Sequence, residues 1–333
     1  MATTRLKTVE YYFPHGTTLV DAADTNLTQI TVYLPENSKT FKKVVLEVIA
    51  HDRNTTLGNI SRHQVSLRLG AASYTVINNA NAITNGGEQQ TIMFSGDFTS
   101  HFTTNWSGTS MTCDAMVLMD SAVASPLSPA FNNVTARLII TYEYDADTTT
   151  HVKTVRIPLN APVSTMATSK PGTATATIPA LDTELPEASK TYRQIVLVAQ
   201  GNDNGASTDI SLNMQIDSLT AFSGDTYEHA SNCAMFVRNT AIAPTFDTSS
   251  SRNFYIWATG ATNFNHFQVW MVVTYEFDST SSNDVFISLM LPISMDSPMG
   301  GTTSSDYQRA TRELFIQEAN IVAKQQACYL FWD

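Results

Sequence analysis

Charged side chains are scarce in this sequence, and basic ones are scarcer than acidic ones. Only 15% of the 333 residues are charged, and 19 Lys and Arg face 30 Asp and Glu, which gives a formal net charge of −11. Typical soluble domains carry roughly 25% charged residues. Binding to phosphates or to an anionic membrane surface needs clustered Lys and Arg, and the sequence contains no basic run. We therefore expect neither direct nucleic-acid binding nor membrane binding.

Cysteines and long apolar runs are also scarce. The three cysteines Cys113, Cys233 and Cys328 lie far apart and match neither a zinc-binding spacing nor a disulfide framework, which predicts neutral thiols in a reducing compartment. No stretch approaches the roughly 18 apolar residues of a membrane-spanning helix. The first residues contain no apolar segment of the kind found in secretory signals. We expect synthesis in the cytoplasm.

The sequence lacks the short motifs that accompany catalysis and cofactor binding. It has no G-x-S-x-G, no Walker loop and no G-x-G-x-x-G after a strand. Its histidines are scattered without a zinc spacing, and His151 and His266 are expected to be solvated residues at strand ends. We predict no enzyme activity, no catalytic residue, no metal site and no cofactor.

Two pairs of carboxylates are candidates for a catalytic pair. Glu143 with Asp145, and Glu276 with Asp278, each lie two positions apart. In a strand this places them roughly 7 Å apart on one face, near the spacing used by inverting glycosidases. Because the pair occurs twice on an outward face, a structural role is favoured over a glycan-active enzyme.

Two further groups suggest ligands, each with an ordinary alternative. Asp203, Asn204 and Asp209 resemble an oxygen-ligand calcium loop, but their spacing misses the EF-hand pattern, which favours a polar hairpin turn. Trp106 and Trp257 could form a platform that stacks on sugars, although aromatic residues of a sandwich core are the commoner case.

Short segments recur in the same order along the chain, which predicts an internal duplication. The matched segments are LPENSKT (34–40) with LPEASKT (185–191), FSGD (94–97) with FSGD (222–225), TYEYD (141–145) with TYEFD (274–278), and IPL (157–159) with LPI (291–293).

Hydrophobic residues around these segments alternate with a period of two. Leu138, Ile140, Tyr142 and Tyr144 fall on one face, and the second copy repeats this pattern from Val269 to Phe277. A period of two indicates half-buried strands. Many short strands separated by turn-forming residues, with almost no helical periodicity, predict an all-β protein of two tandem β-sandwich or jelly-roll domains.

The repeat also predicts domain limits. We place a first sandwich at 1–160 with an inserted loop at about 68–93, and a linker rich in Thr, Ser, Ala and Pro at 161–177. A second sandwich follows at 178–297, and a C-terminal segment at 298–333 contains a helix from about 306 to 326.

The C-terminal segment has no counterpart after the first copy, and it ends in a strongly apolar run. Such side chains must be covered either by their own domain or by a neighbouring subunit. We favour the second alternative, which makes this segment an assembly interface and the chain a homo-oligomer. The candidate interface residues are Phe315, Val322, Tyr329, Leu330, Phe331 and Trp332.

Taken together, a low-charge chain of tandem β-sandwiches with these repeats resembles viral capsid and bacteriophage virion proteins. The duplication is similar to the double jelly-roll architecture of capsids, and the chain equally resembles a decoration, collar or fibre protein of a tailed phage. The resemblance implies a non-enzymatic virion component whose partners are further copies of itself and other virion proteins. The alternative is a carbohydrate-binding or adhesive protein, such as a phage receptor-binding component, with a glycan receptor as partner.

Overall fold

A computed structural model describes thirteen stretches of the chain, and all of them lie in one compact unit, Met1–Phe286. The described residues are 4–14, 24–52, 60–79, 91–121, 131–145, 148–159, 167–187, 189–203, 210–219, 226–227, 234–241, 246–259 and 264–278.

The first half of the unit consists of two antiparallel sheets. One contains four strands in the order β1-β9-β4-β7, and the other has the order β2-β8-β5-β6 with β3 also paired to β8. A short helix, α1, precedes β8. The elements are β1 (Thr4–Phe13), β2 (Thr25–Asn26), β3 (Ile30–Tyr33), β4 (Thr40–Asp52), β5 (Ile60–Leu69), β6 (Thr75–Asn79), β7 (Thr91–Asp97), α1 (Thr99–Asn105), β8 (Ser110–Ser121) and β9 (Phe131–Asp145).

The second half again contains two antiparallel sheets, with the orders β10-β17-β12-β15 and β11-β16-β13-β14. Its elements are β10 (Thr150–Leu159), β11 (Ala176–Ile178), α2 (Leu181–Glu184), β12 (Thr191–Asp203), β13 (Ile210–Ile216), β14 (Thr226–Tyr227), β15 (Ala234–Ala241), β16 (Arg252–Thr259) and β17 (Phe264–Asp278).

Both halves have the strand order of a jelly roll. When β2 and β3 are counted as one strand, each half reads 1-8-3-6 in one sheet and 2-7-4-5 in the other. An eight-stranded double sheet of this kind is a jelly roll. The predicted all-β fold is confirmed, whereas the origin of the halves by duplication stays a prediction.

The two halves also share irregularities in strand pairing. The pairing of β4 with β9 shifts register between Phe41 and Lys43, and the pairing of β12 with β17 shifts between Tyr192 and Gln194. A β-bulge bends a strand and re-aims its side chains. Each copy of the S-K-T turn is therefore followed by a bulge at the same place, directly after the first aromatic residue of the strand.

One of the repeated segments is described only in its first copy. The first FSGD ends β7, where a Cβ on Gly96 would lie 2.6 Å from Cγ2 of Val65, so only glycine fits. The strand in the position of β7 in the second half is β15, whose sequence AMFVRNTA lacks the tetrapeptide. The second FSGD, at 222–225, lies outside the described residues.

Burial confirms the predicted faces and adds a second buried face in one strand. In β9 the side chains of Leu138, Ile140, Tyr142 and Tyr144 are buried. In β17 the residues Val269, Met271, Val273 and Tyr275 are buried, and so are Trp270, Val272 and Thr274 on the opposite face. The strand is covered on both sides because the first half packs on its outer face.

The predicted domain limits stay predictions, but strand pairing bears on two of the predicted segments. β10 falls within the predicted first sandwich, yet it pairs with β17 and so lies in a sheet of the second half. β11, at the end of the predicted linker, pairs with β16. The predicted helix at 306–326 lies outside the described residues.

Candidate functional site

The two jelly rolls meet where side chains of the second half hold the outer edge of β1. At Glu10, the backbone N–H donates to Thr154 Oγ1 (2.9 Å) and the carbonyl oxygen accepts from Thr274 Oγ1 (2.9 Å). At Tyr12, the N–H donates to Gln194 Oε1 (2.8 Å) and the carbonyl accepts from Gln194 Nε2 (2.7 Å). These bonds replace the ladder that a neighbouring strand would make. We call these five residues the seam.

An ion-pair cluster surrounds the carboxylate of Glu10. Its Oε2 lies 2.5 Å from Arg156 Nη2 and 3.4 Å from Arg137 Nη1. Arg137 also pairs through Nε with Glu47 of β4. Burial alone would raise the pKa of Glu10, but Arg156 and Arg137 lower it below its ordinary value. The carboxylate therefore stays charged and ties strands of both halves together.

A second carboxylate, Glu36, lies between β3 and β4 in the chain and is completely buried, in contact with the first residues of β10. Its oxygens accept from Tyr142 Oη (2.7 Å) and from the backbone N–H of Val152 (2.8 Å), and it forms an ion pair with Lys7. Burial alone would raise the pKa of Glu36, but the nearby His151 ring, Lys7 and the N–H of Val152 together lower it to about 2. Lys7 also donates to the carbonyl of Val152 (2.9 Å), so the cluster holds both backbone groups of that residue.

His151 is buried beside this cluster, which corrects the expectation of a solvated residue at a strand end. Its side chain is only 6% exposed, and its Nδ1 lies 3.7 Å from Glu36 Oε1. The ring packs between Tyr144 and Phe277, with centroids 5.5 Å from each. These contacts arise because β10 passes between the two halves. The side chain of His266 lies outside those that the structure describes.

The second half contains a corresponding buried carboxylate, Glu187. Its Oε2 accepts from Tyr275 Oη (2.8 Å), and its Oε1 forms an ion pair with Lys153. Burial lowers the pKa of Lys153 even though Glu187 opposes the shift. The same three residue types, Lys, Glu and Tyr, therefore meet inside each jelly roll.

The turn that follows each buried glutamate explains the rest of the repeated LPE-x-SKT segment. Ser38 and Ser189 have positive φ angles of 53° and 55°, a conformation that few residues other than Gly adopt. Lys39 and Lys190 then fold back and donate to backbone carbonyls of the preceding Leu-Pro-Glu. The motif is a turn that seals a buried carboxylate.

Sequence reasoning missed these carboxylates, although the sequence carries a signal for them. Lys7-Thr8-Val9 in β1 recurs as Lys153-Thr154-Val155 in β10. Each lysine reaches the glutamate of an LPE segment, and both segments repeat together. Taken alone, a Glu next to Pro indicates only the end of a strand.

The glutamate of each predicted carboxylate pair is bound by a cation. Glu143 Oε2 lies 2.8 Å from Lys42 Nζ at the surface. Glu276 Oε2 lies 2.5 Å from Arg193 Nη2 and is only 13% exposed, so it is more covered than predicted. The guanidinium of Arg193 also lies 4.1 Å from the centre of the Tyr33 ring in the first half. These contacts give the carboxylates structural partners.

The other candidates fall into core, surface or undescribed parts. Trp106 is half-buried, packs against Phe41 and Phe102, and donates from Nε1 to the carbonyl of Gly108 (3.1 Å). Trp257 is half-buried in β16. Neither is a fully exposed ring.

Several predicted residues lie outside the described side chains. They are the candidate calcium ligands Asp203, Asn204 and Asp209, the cysteines Cys233 and Cys328, and the candidate interface residues Phe315, Val322, Tyr329, Leu330, Phe331 and Trp332. Cys113 is buried in the first core, and burial raises the pKa of its thiol.

Within the described stretches, no group of three or more His, Cys, Asp or Glu side chains is placed to hold a metal ion. No helix in that part of the chain is long and apolar enough to cross a membrane.

No protein-family model matches this chain, and no curated protein matches it. Solved structures match it at low similarity. N-glycanase F (PNGase F) is 11% identical with a TM-score of 0.26, and the match covers 85% of this chain and 97% of that one.

Viral capsid structures are among the other matches. The PBCV-1 virus capsid is 8% identical with a TM-score of 0.24, covering 84% of this chain and 96% of that one. The Macrobrachium rosenbergii nodavirus structure is 8% identical with a TM-score of 0.22, covering 82% of this chain and 90% of that one. Similarity at this level does not bear on function.

Proposed function

We propose that this chain is a non-enzymatic structural subunit of a virus or phage particle, and that it acts by assembling with further copies of itself and with other virion proteins. The observation that carries the proposal is the joining of two jelly rolls of equal strand order into one unit. Jelly rolls are a recurrent building block of viral capsids. A fold hosts many functions, so the residues where the two halves meet must fit the same role.

The seam supports a structural role. A flexible linker between two modules would let them move, whereas the edge of β1 is held by four hydrogen bonds with the side chains of Thr154, Gln194 and Thr274. The Glu10 ion pairs add charged contacts across the same boundary. Two jelly rolls fixed in this way make a rigid block, which is what a repeating shell or collar requires.

The carboxylates support the absence of catalysis. A catalytic acid or base needs access to a substrate proton. Glu36 and Glu187 are buried and bound by lysine and tyrosine, and Glu143 and Glu276 are bound by lysine and arginine.

The test is to express the full chain, measure its mass by light scattering after gel filtration, and image it by negative-stain electron microscopy. We expect defined oligomers or particles. A chain that stays monomeric at every concentration and instead hydrolyses a glycan, or binds one on an array, would contradict the proposal.

A further inference from the structure

The side chains that hold β1 in the seam have counterparts at equal positions in the first half. Thr154 faces Thr274 across β10 and β17, and Gln194 faces Thr274 across β12 and β17. In the first half Thr8 and Lys43 both face Thr141 in the same way. The bulge lies one residue before Gln194 and one before Lys43, so the registers agree. The two hydroxyls of each threonine pair are also bonded, at 2.8 Å and 2.9 Å.

The two sheet faces differ in what covers them. In the second half Val196, Val272 and Thr274 are each 1% exposed because the first half lies on them. The residues at equal positions in the first half, Val45, Ile139 and Thr141, are all partly exposed. Leu6, at the position of the fully buried Val152, is 63% exposed. We call Leu6, Thr8, Lys43, Val45, Ile139 and Thr141 the open face.

The strand edge that would fit this open face is also present in the chain. Glu10 and Tyr12, whose backbone groups are held in the seam, correspond in position to Arg156 and Pro158 of β10. β10 is the last strand of its sheet in the described part of the chain. At Val152 its outer edge is bound by Glu36 and Lys7. In the described part of the chain, no strand pairs with this edge at Arg156 and Pro158.

The geometry points to a head-to-tail contact in which the β10 edge of one copy, at Arg156 and Pro158, binds the open face of a second copy. This rests on the proposed function, and it names the partner surface of that assembly. The contact repeats between copies the arrangement that the seam already makes within one chain. Because the two surfaces differ, the contact is heterologous and builds rings or filaments.

The residues that differ between the seam and the proposed contact have matching hydrogen-bonding groups. In the seam, Gln194 both accepts from the N–H of Tyr12 and donates to its carbonyl. Pro158 has no N–H to donate, so the residue that binds its backbone needs only to donate a hydrogen bond to its carbonyl oxygen. Lys43 is a donor only, and it is exposed, with its ammonium 2.5 Å from Asp97 and two further protons to give.

Charge is complementary as well. Glu10 of β1 and Arg156 of β10 occupy equal positions and carry opposite charges, and they already pair within the chain at 2.5 Å. In the proposed contact, Arg156 at the β10 edge of one copy therefore comes close to Glu10 of the second copy. The two side chains carry opposite charges, so they do not repel each other.

The experiment measures self-association of the full chain by sedimentation velocity over a concentration series. Thr8→Val with Thr141→Val removes two hydroxyls at nearly constant shape, and Lys43→Glu replaces the donor by an acceptor. We expect each to raise the dissociation constant at least tenfold. Lys43→Gln restores the residue type of the seam and should associate like the unmodified chain.

Lys170→Glu is the matched control. It makes the same charge change on an exposed side chain that lies over the Tyr255 ring of β16, in the other sheet of the second half. It should associate normally, and circular dichroism should show the same β-rich spectrum for all variants. Oligomers that persist unchanged in both open-face variants would overturn the contact and leave the proposed function standing. A monomeric unmodified chain that forms no particle would overturn the proposed function.

Discussion

Each half of this protein contains two kinds of repeated carboxylate, and they differ in their surroundings. Glu143 and Glu276 lie within the repeated strands β9 and β17, and each pairs with one cation, Glu143 at the surface and Glu276 partly covered. Glu36 and Glu187 follow a Leu-Pro step and lie inside the fold, where lysine and tyrosine bind them. Repetition alone does not distinguish the two kinds; the difference is in burial and in the number of partners.

The comparison shows which polar residues determine the fold of this protein. An exposed ion pair gains little because water competes for both charges. A buried carboxylate loses its hydration completely, so every bond it makes is needed to keep it charged. The position of Glu36 between β1, β9 and β10 is therefore specified more strongly than any residue on the sheet surface.

The change expected to have the largest effect is Glu36→Gln. It removes the charge that balances Lys7 and leaves a buried cation without its counter-ion, so the free energy of unfolding should fall by about 3–5 kcal/mol. Urea unfolding followed by circular dichroism measures this. Glu187→Gln should act in the same direction through Lys153.

A loss below about 1 kcal/mol for Glu36→Gln would place this carboxylate in the same class as surface pairs. The comparison would then fail, because burial would no longer separate the two kinds of repeated glutamate.

The pH dependence of stability should sharpen the same contrast. The pKa of Glu36 is lowered in the folded chain to about 2 from an ordinary value of 4.5. Its contribution is therefore fully present above about pH 4.5 and is lost as pH falls towards 2. At 1.36 kcal/mol per pKa unit this amounts to at most about 3 kcal/mol.

The measurement is the difference in unfolding free energy between the unmodified chain and Glu36→Gln at several pH values from 7 downwards. Using the difference removes the contribution of other carboxylates, such as Glu10, whose pKa is also lowered, in its case by arginine against the effect of burial. A difference that stays constant down to pH 3 would contradict a charged Glu36.

The smallest effect is expected for Glu143→Gln combined with Asp145→Asn. The Lys42–Glu143 pair is 43% and 38% exposed, so stability should change by no more than about 1 kcal/mol. Oligomers seen by electron microscopy should be unaffected. Loss of a hydrolytic activity in this variant would favour the glycan-active enzyme instead.

The strands could be predicted because each one carries its own signal. Alternation from Leu138 to Tyr144 specifies a strand with one buried face, and the structure buries those side chains. The second buried face of β17 could not be predicted in the same way. Thr274 is polar in sequence, and it is buried because its hydroxyl reaches the carbonyl of Glu10, far away in the chain.

The buried clusters escaped prediction for a related reason. A glutamate in a Leu-Pro-Glu step has the composition of a turn, and only its contact with Lys7 and Val152 makes it a core residue. Those partners lie in two different strands, one of which belongs to the other half.

The bond between Glu36 and the N–H of Val152 has a consequence for how the chain matures during synthesis. The two residues are 116 positions apart, and domains made on ribosomes generally begin to fold from the N-terminal end. All strands of the first jelly roll leave the ribosome before Val152 does. Until then Glu36 has Lys7 and Tyr142 but lacks its backbone partner. We expect the first jelly roll to remain incompletely packed around Glu36 until the first residues of β10 leave the ribosome. Folding of the first half is then completed only when synthesis of the second half has begun.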